Sequence, residues 1–508
     1  MKPRPWILLA MLSLLGVAGG WAADKPVSRK PAHKAPAAAA AAPVEGETHL
    51  PAGRFGTVTV YIPEGTPQSV AIFLSGDGGW NLGVVSMAHA LTDMGAVVIG
   101  VDIRKYLGSL GKAALRENAP CQLIAGDFEN LSHQIQKEIG MFVYHVPVLV
   151  GYSSGATVVY AALVQSPPGT FAGALSLGFC PDQDFSGAAL CPGPGAGLHY
   201  TLAHGSSGQG KKNDLIFEPA RTLKQPWIAL QGQKDQVCAP EPVDRFAAET
   251  AGGEVVKLPL VGHGFGVERN WMPQFLDAYK RITVRVETPP LRPAEVSDLP
   301  VNEVHAESNS SDALAILITG DGGWAGLDQE LAARLAADGV PTVGLNSLKY
   351  FWTERTPDET ARDVARIMQH YLAAWNKQRV LLVGYSFGAD VLPFVVNRLP
   401  PELRARVATV SLLGVDANAS FEIKIAGWVG ADDGGPATQP EVAAMAGVPI
   451  LCIYGEGESD SICPGLPKEP GHTRITLAQI GKGHHFGGEY SGLADRILAF
   501  ARAARPVT

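Results

Sequence analysis

The chain has 508 residues, 46% of them hydrophobic and 18% charged, and a formal net charge of −8. That length accommodates two globular domains with sizeable cores. The acidic balance leaves no footprint for nucleic acid and opposes simple attraction of the whole protein to an anionic membrane.

Lys2 and Arg4 precede an apolar stretch from Trp6 to Val17, followed by small residues ending Gly20-Trp-Ala-Ala23. A basic start, a short apolar segment and a Gly-x-Ala site predict a cleaved secretory signal over residues 1–23. The stretch is short for a membrane span, which needs about 20 apolar residues. No cysteine stands directly after it, the first being Cys121, so a lipid-modified N-terminus is not expected. Residues 24–47 are rich in Ala, Pro and Lys and predict a tether without a core.

A first domain is expected over residues 48–285, opening with two short β runs around Pro63-Glu-Gly65. Short apolar runs then alternate with helical patterns, Asn130–Ile139 and Trp271–Ile282 among them. That alternation predicts βαβ units and a mostly parallel sheet flanked by helices. Residues 286–300 turn rich in Pro and Glu, as a linker would. A second domain over 301–508 repeats the plan and ends in an amphipathic helix from Leu493 to Ala504.

The repetition extends to motifs. Ser75-Gly-Asp-Gly-Gly-Trp80 and Thr319-Gly-Asp-Gly-Gly-Trp324 each close an apolar run. Gly151-Tyr-Ser-Ser-Gly155 and Gly384-Tyr-Ser-Phe-Gly388 each follow another. Gly-x-Ser-x-Gly after a strand and before a helix is the turn that exposes a nucleophilic serine above a parallel sheet. The fold class expected is therefore α/β, as two tandem α/β-hydrolase-like domains.

A serine hydroxyl needs a base, and the base needs an acid to hold its tautomer. In this fold the chain order is Ser, acid, His, with acid and His in loops after strands. The second domain offers Ser386, then Gly455-Glu-Gly-Glu-Ser-Asp460, then His484 in Gly483-His-His-Phe-Gly487. Asp460 is taken as the acid, because it stands three residues before Cys463 as Asp235 stands three before Cys238. Glu458 is the rival, since it keeps the spacing from the preceding glycine. The first domain offers Ser153, Asp235 and His263 as a second triad. The backbone N–H of Phe387 and the loop around Gly322 are expected to hold the oxyanion. Asp321 beside that site, and Asp390 in the first turn after Ser386, suit a substrate with an ammonium group. No metal site, phosphate loop or cofactor is expected. The six cysteines fit an oxidising compartment. Cys452 and Cys463 would pair with each other, while Cys121, Cys180, Cys191 and Cys238 allow three pairings.

With these motifs and Ser347-Leu-Lys-Tyr-Phe-Trp352 in view, the second domain resembles the VirJ-type bacterial virulence proteins. The whole chain is similar to the longer AcvB form. The resemblance implies a periplasmic enzyme that hydrolyses aminoacylated phosphatidylglycerol, notably the lysyl form, with that lipid as its partner at the membrane surface. It points to Ser386 as the principal nucleophile, because the shorter form corresponds to the second domain alone. A general periplasmic carboxylesterase, or a non-catalytic assembly factor keeping hydrolase-like folds, are the competing expectations.

Overall fold

The structure, a computed structural model, describes residues 46–504 apart from 118–119, 204–213, 288–293, 309, 425–434, 446, 467–474 and 489. The expected signal and the expected tether up to residue 45 lie outside the described residues. The last two tether positions do not: Gly46 and Glu47 already pair in the first strand.

The first half begins with strands β1 (Gly46–Pro51), β2 (Thr57–Ile62) and β3 (Ser69–Leu74). Helix α1 (Leu82–Thr92), strand β4 (Ala96–Val101) and helices α2 (Ile103–Glu117) and α3 (Ile124–Glu138) follow. Strand β5 (Val148–Tyr152), helix α4 (Ser154–Gln165) and strand β6 (Gly173–Leu177) form the centre. Three short strands, β7 (Asp182–Asp184), β8 (Tyr200–Leu202) and β9 (Asp214–Phe217), make a separate antiparallel sheet. Strand β10 (Trp227–Gly232), helix α5 (Pro240–Glu249), strand β11 (Gly253–Leu258) and helix α6 (Met272–Glu287) close the half.

The second half runs β12 (Val301–Val304), β13 (Ala313–Ile318), α7 (Gly326–Ala337), β14 (Thr342–Leu345) and α8 (Ser347–Tyr350). Then come α9 (Pro357–Ala374), β15 (Arg379–Tyr385), α10 (Phe387–Arg398), α11 (Pro401–Arg404) and β16 (Val407–Leu413). It ends with α12 (Thr438–Ala444), β17 (Ile450–Glu456), β18 (Ile475–Lys482) and α13 (Tyr490–Ala503). Helix α9 starts where Thr356 and Glu359 form a reciprocal capping box ahead of Pro357.

The two large sheets are ordered β1-β2-β4-β3-β5-β6-β10-β11 and β12-β14-β13-β15-β16-β17-β18. Strands β3 to β6, β10 and β11 pair in parallel, as do β13 to β18. Central strands read as largely apolar runs because helices cover both faces: every residue of β4, β6 and β13 is buried, Ser176 of β6 included. This is the α/β-hydrolase fold, present twice.

The strand order also locates the crevice. From β3 the chain steps to β4 on one side, then returns to β5 and grows on the other side, so the order reverses between β3 and β5. In the second half it reverses between β13 and β15. Ligands bind beyond the strand ends at such switch points. The Gly-Asp-Gly-Gly-Trp loops leave β3 and β13 there, and the two serine turns leave β5 and β15.

Close packing explains both motifs. A Cβ on Gly388 would lie 2.1 Å from the Ile318 carbonyl oxygen, and one on Gly384 would lie 2.4 Å from that of Gly388. The turn therefore rides directly on the neighbouring strand. Trp324 lies over Gly344 of β14, where a Cβ would come within 2.0 Å of the indole, and Trp80 lies likewise over Gly100 of β4 at 2.2 Å.

All described residues fall in one compact unit, and the halves are joined by more than the chain. Tyr144 packs into the core of the second half, and its ring lies 5.0 Å from that of Trp352. Trp352 Nε1 donates to the Met141 carbonyl at 2.8 Å. Lys137 Nζ donates to the Trp352 carbonyl and lies 3.1 Å from Glu422 Oε1. No helix among the described residues is long and apolar enough to cross a membrane.

Candidate active site

Ser386 sits at φ 51° and ψ −122° between β15 and α10. A positive φ in a non-glycine residue costs about 1–3 kcal/mol and persists only where the surroundings enforce it. Here the enforcement is the glycine-framed turn, which lifts the hydroxyl off the sheet. His484 follows β18, and its Nε2 lies 2.7 Å from Ser386 Oγ. Its Nδ1 lies 2.6 Å from Glu458 Oε1, whose other oxygen accepts the Gly455 N–H at 2.8 Å. The Glu458 side chain is 4% exposed and that of His484 is 42% exposed. Burial alone would pull the His484 pKa down, but the Glu458 hydrogen bond and charge, with Asp321 and Asp416, leave it raised. Burial pushes Glu458 up, yet His484 and the Gly455 N–H outweigh it and leave its pKa lowered.

The carboxylate that the structure sets against His484 is thus Glu458, and the expectation of Asp460 in that place is corrected. Asp460 is exposed and accepts from its neighbour Ser459 at 3.0 Å. The alignment through cysteines failed because the cysteines are wired differently. Cys463 is bonded to Cys452, on the strand of its own half, whereas Cys238 is bonded to Cys180. The distance from the strand-end glycine, 232 to 235 and 455 to 458, was the sound ruler, because both loops leave equivalent strands.

Two further expectations shift. The Gly322 N–H donates to Asp321 Oδ1 at 3.0 Å and is therefore committed to its own loop. Gly320 of that loop lies beside Ser386: a Cβ there would stand 3.6 Å from Ser386 Cβ. Phe387 opens α10, so its N–H has no carbonyl a turn earlier in the helix to bond. Asp390 does not line the cavity above Ser386. Its Oδ1 accepts the Asp416 N–H at 2.7 Å, tying the loop after β16 to α10. Burial, with Asp416 and Asp321 nearby, pushes its pKa well up.

The first half repeats the constellation. Ser153 has φ 54° and ψ −120°, and its Oγ lies 2.9 Å from His263 Nε2. His263 Nδ1 lies 2.9 Å from Asp235 Oδ2. Asp235 Oδ1 accepts the N–H groups of Val237 and Cys238, both at 2.9 Å. The Cys180–Cys238 bond therefore anchors the loop that holds the acid, and Cys121–Cys191 completes the pairing in this half. Asp235, Cys238 and His263 cluster as metal ligands might, but the Cys238 sulfur is consumed by the disulfide.

Each serine opens into a cavity. The one above Ser153 measures about 730 Å³, lined by Asp77, Asn81, Met87, Val237, His263 and Trp271 among others. The one above Ser386 measures about 740 Å³ and takes in Asp321, Leu327, Asp328, Tyr385, His484, His485 and Tyr490.

The sequence profile described as bacterial virulence protein (VirJ) matches residues 68–172 and 312–505, more than half of the chain. The chain belongs to the VirJ family. The first matched segment includes Ser153 but ends before Asp235 and His263; the second includes Ser386, Glu458 and His484. Comparison with curated proteins gave no match. Among solved structures, an esterase domain from Rhodothermus marinus is 15% identical, covering 46% of this chain and 97% of its own, at a TM-score of 0.30. A lidless α/β serine hydrolase from Xanthomonas campestris is 18% identical, with 49% and 97% covered and a TM-score of 0.29. A thermophilic esterase from Thermogutta terrifontis is 14% identical, with 49% and 97% covered and a TM-score of 0.31.

Within this VirJ-family chain the halves differ at the residue after the serine. Ser154 donates to Asp77 Oδ1 at 2.6 Å and occupies that carboxylate. Phe387 instead packs on Phe351 with ring centroids 4.9 Å apart, so Asp321 is left with backbone N–H groups of its own loop. Burial raises the Asp321 pKa against the lowering charges of His484 and His485.

Proposed function

We propose that the protein is a serine hydrolase whose Ser386 cleaves the aminoacyl ester of an aminoacylated phosphatidylglycerol, the lysyl form foremost, at the outer face of the cytoplasmic membrane. The observation that carries this reading is the Glu458–His484–Ser386 chain, at 2.6 and 2.7 Å, opening into a cavity that includes the Asp321 carboxylate. Three disulfides support an oxidising, exported location.

In this mechanism Ser386 Oγ attacks the ester carbonyl carbon while His484 Nε2 takes its proton. Glu458 fixes the proton-bearing Nδ1 and stabilises the imidazolium. The Phe387 N–H faces the developing oxyanion. The bond from carbonyl carbon to glycerol oxygen breaks, and that oxygen takes the proton from His484. Water, deprotonated by His484, then attacks the aminoacyl-Ser386 ester; the bond from carbonyl carbon to Ser386 Oγ breaks, Oγ takes the proton back from His484, and the amino acid is freed. The Asp321 carboxylate accepts an ammonium group of the aminoacyl part.

A second hydrolytic site at Ser153 is favoured by its own 2.9 Å contacts to His263 and onward to Asp235.

The test is cleavage of lysyl-phosphatidylglycerol in detergent micelles. Loss of cleavage in Ser386→Ala supports the reading, and full retention moves the chemistry to Ser153. Faster turnover of a neutral acyl ester would favour a general carboxylesterase. Failure of a fluorophosphonate to label either serine would favour a non-catalytic scaffold.

A further inference from the structure

The cavity above Ser386 is not built by the second half alone. Leu123, Glu129, Pro167, Thr170 and Pro194, all from the first half, form part of its lining. The docking is specific: Gln329 Nε2 donates to the Pro168 carbonyl at 3.1 Å. The same lining includes a carboxylate on α3, that of Glu129. A Cβ placed on Gly322 would lie 3.9 Å from Glu129 Oε1, so Glu129 reaches the Gly-Asp-Gly-Gly-Trp loop from across the interface.

Glu129 has no hydrogen bond or ion pair among the described residues. Burial and the Asp321 charge push its carboxyl up to about 7, as befits negative groups crowded together without a cation between them. Asp328, 4% exposed, lines the same cavity, and its Oδ1 has no hydrogen-bond partner. Apart from His484 and His485, the basic side chain on the lining is Lys482, which is 83% exposed and 3.8 Å from Glu456. Three acids converge on a partly apolar cavity; His484 and His485 oppose the Asp321 charge in part, and the Lys482 ammonium lies by Glu456, outside this acid group.

We infer that the first half completes the active site of the second, with Glu129 as the specificity-determining residue that, with Asp321, receives an ammonium group on the acyl part of the substrate. This inference rests on the aminoacyl-ester reading above. It gives the first half a role that does not depend on Ser153 being a nucleophile. Buried hydrogen bonds to a charged group are the strong kind, and an unpaired one is costly, so a cationic acyl group is selected over a neutral one.

The experiment compares the lysyl and acetyl esters of one phenol, soluble substrates that need no membrane, on the full-length chain. The readout is the ratio of their kcat/KM values in wild type, Glu129→Gln and Glu129→Asp. Wild type is expected to prefer the lysyl ester. Glu129→Gln should cut that preference about ten- to hundredfold, chiefly through KM, and Glu129→Asp should restore part of it. Circular dichroism and the urea midpoint of the same samples report that the variants are folded. A wild type without lysyl preference overturns the aminoacyl-ester reading and this inference with it. A wild-type preference that survives in Glu129→Gln overturns this inference alone.

Discussion

His484 Nδ1 lies 2.6 Å from Glu458 Oε1, while Asp460, two residues on, points to Ser459 in solvent. Removing the charge of a triad acid without changing its shape has cost about 10⁴-fold in kcat in a serine protease. Glu458→Gln should therefore lose about 10³- to 10⁴-fold in kcat on any chromogenic ester that the protein turns over. Asp460→Asn, an exposed change, should stay within about twofold. Equal losses in the two variants would return the choice of acid to Asp460.

The pH–rate profile follows from the same pair. The base works only when neutral, so kcat/KM should rise with pH as His484 loses its proton. Because Glu458, Asp321 and Asp416 outweigh burial and hold His484 above its ordinary 6.5, the midpoint should lie above that value. In Glu458→Gln the largest raising influence is gone while burial remains, so the midpoint of the residual activity should move down. An upward move would contradict this account of the electrostatics.

Ser153 and Ser386 stand in nearly identical turns, each within 2.9 Å of a histidine nitrogen. Fluorophosphonate should therefore label both. Ser386→Ala should leave label on Ser153, and His263→Ala should remove it, as read by peptide mass spectrometry. A chain that labels only at Ser386 would make the first site a relic.

The Cys180–Cys238 bond holds the loop whose N–H groups fix Asp235. Replacing both cysteines by serine should slow labelling of Ser153 while leaving that of Ser386 unchanged. The loss in stability should be about 2–5 kcal/mol, visible as a lower midpoint in urea. Equal slowing at both serines would mean a global loosening instead.

Trp352 is 2% exposed and bridges the halves through Met141, Lys137 and Tyr144. Trp352→Ala should cost about 3–5 kcal/mol. More tellingly, it should split a single calorimetric unfolding transition into two, because the halves would lose their shared core. One unsplit transition at unchanged temperature would show that the interface contributes little.

The duplication, the parallel sheets and both serine turns are written in local patterns. Unbroken apolar runs before Gly-x-Ser-x-Gly leave few folding options, since the glycines at 384 and 388 are the residues that can pass so close to the next strand. The histidines were legible for the same reason, being framed by glycines after a strand. Glu458 was half legible, because spacing from Gly455 favoured it while a cysteine landmark pointed to Asp460. The expected Cys452–Cys463 pair already made Cys463 an unsafe landmark, and the fold adds that Cys238 is bonded to Cys180. Glu129 carried no signal in the chain at all. It lies in an ordinary amphipathic helix of the other half, 257 positions before Ser386, and becomes part of the cavity only because the two halves dock. Local sequence sets turns and strands through sterics and burial over a few residues, whereas the walls of a site between two packed halves depend on long-range contacts that no short pattern encodes.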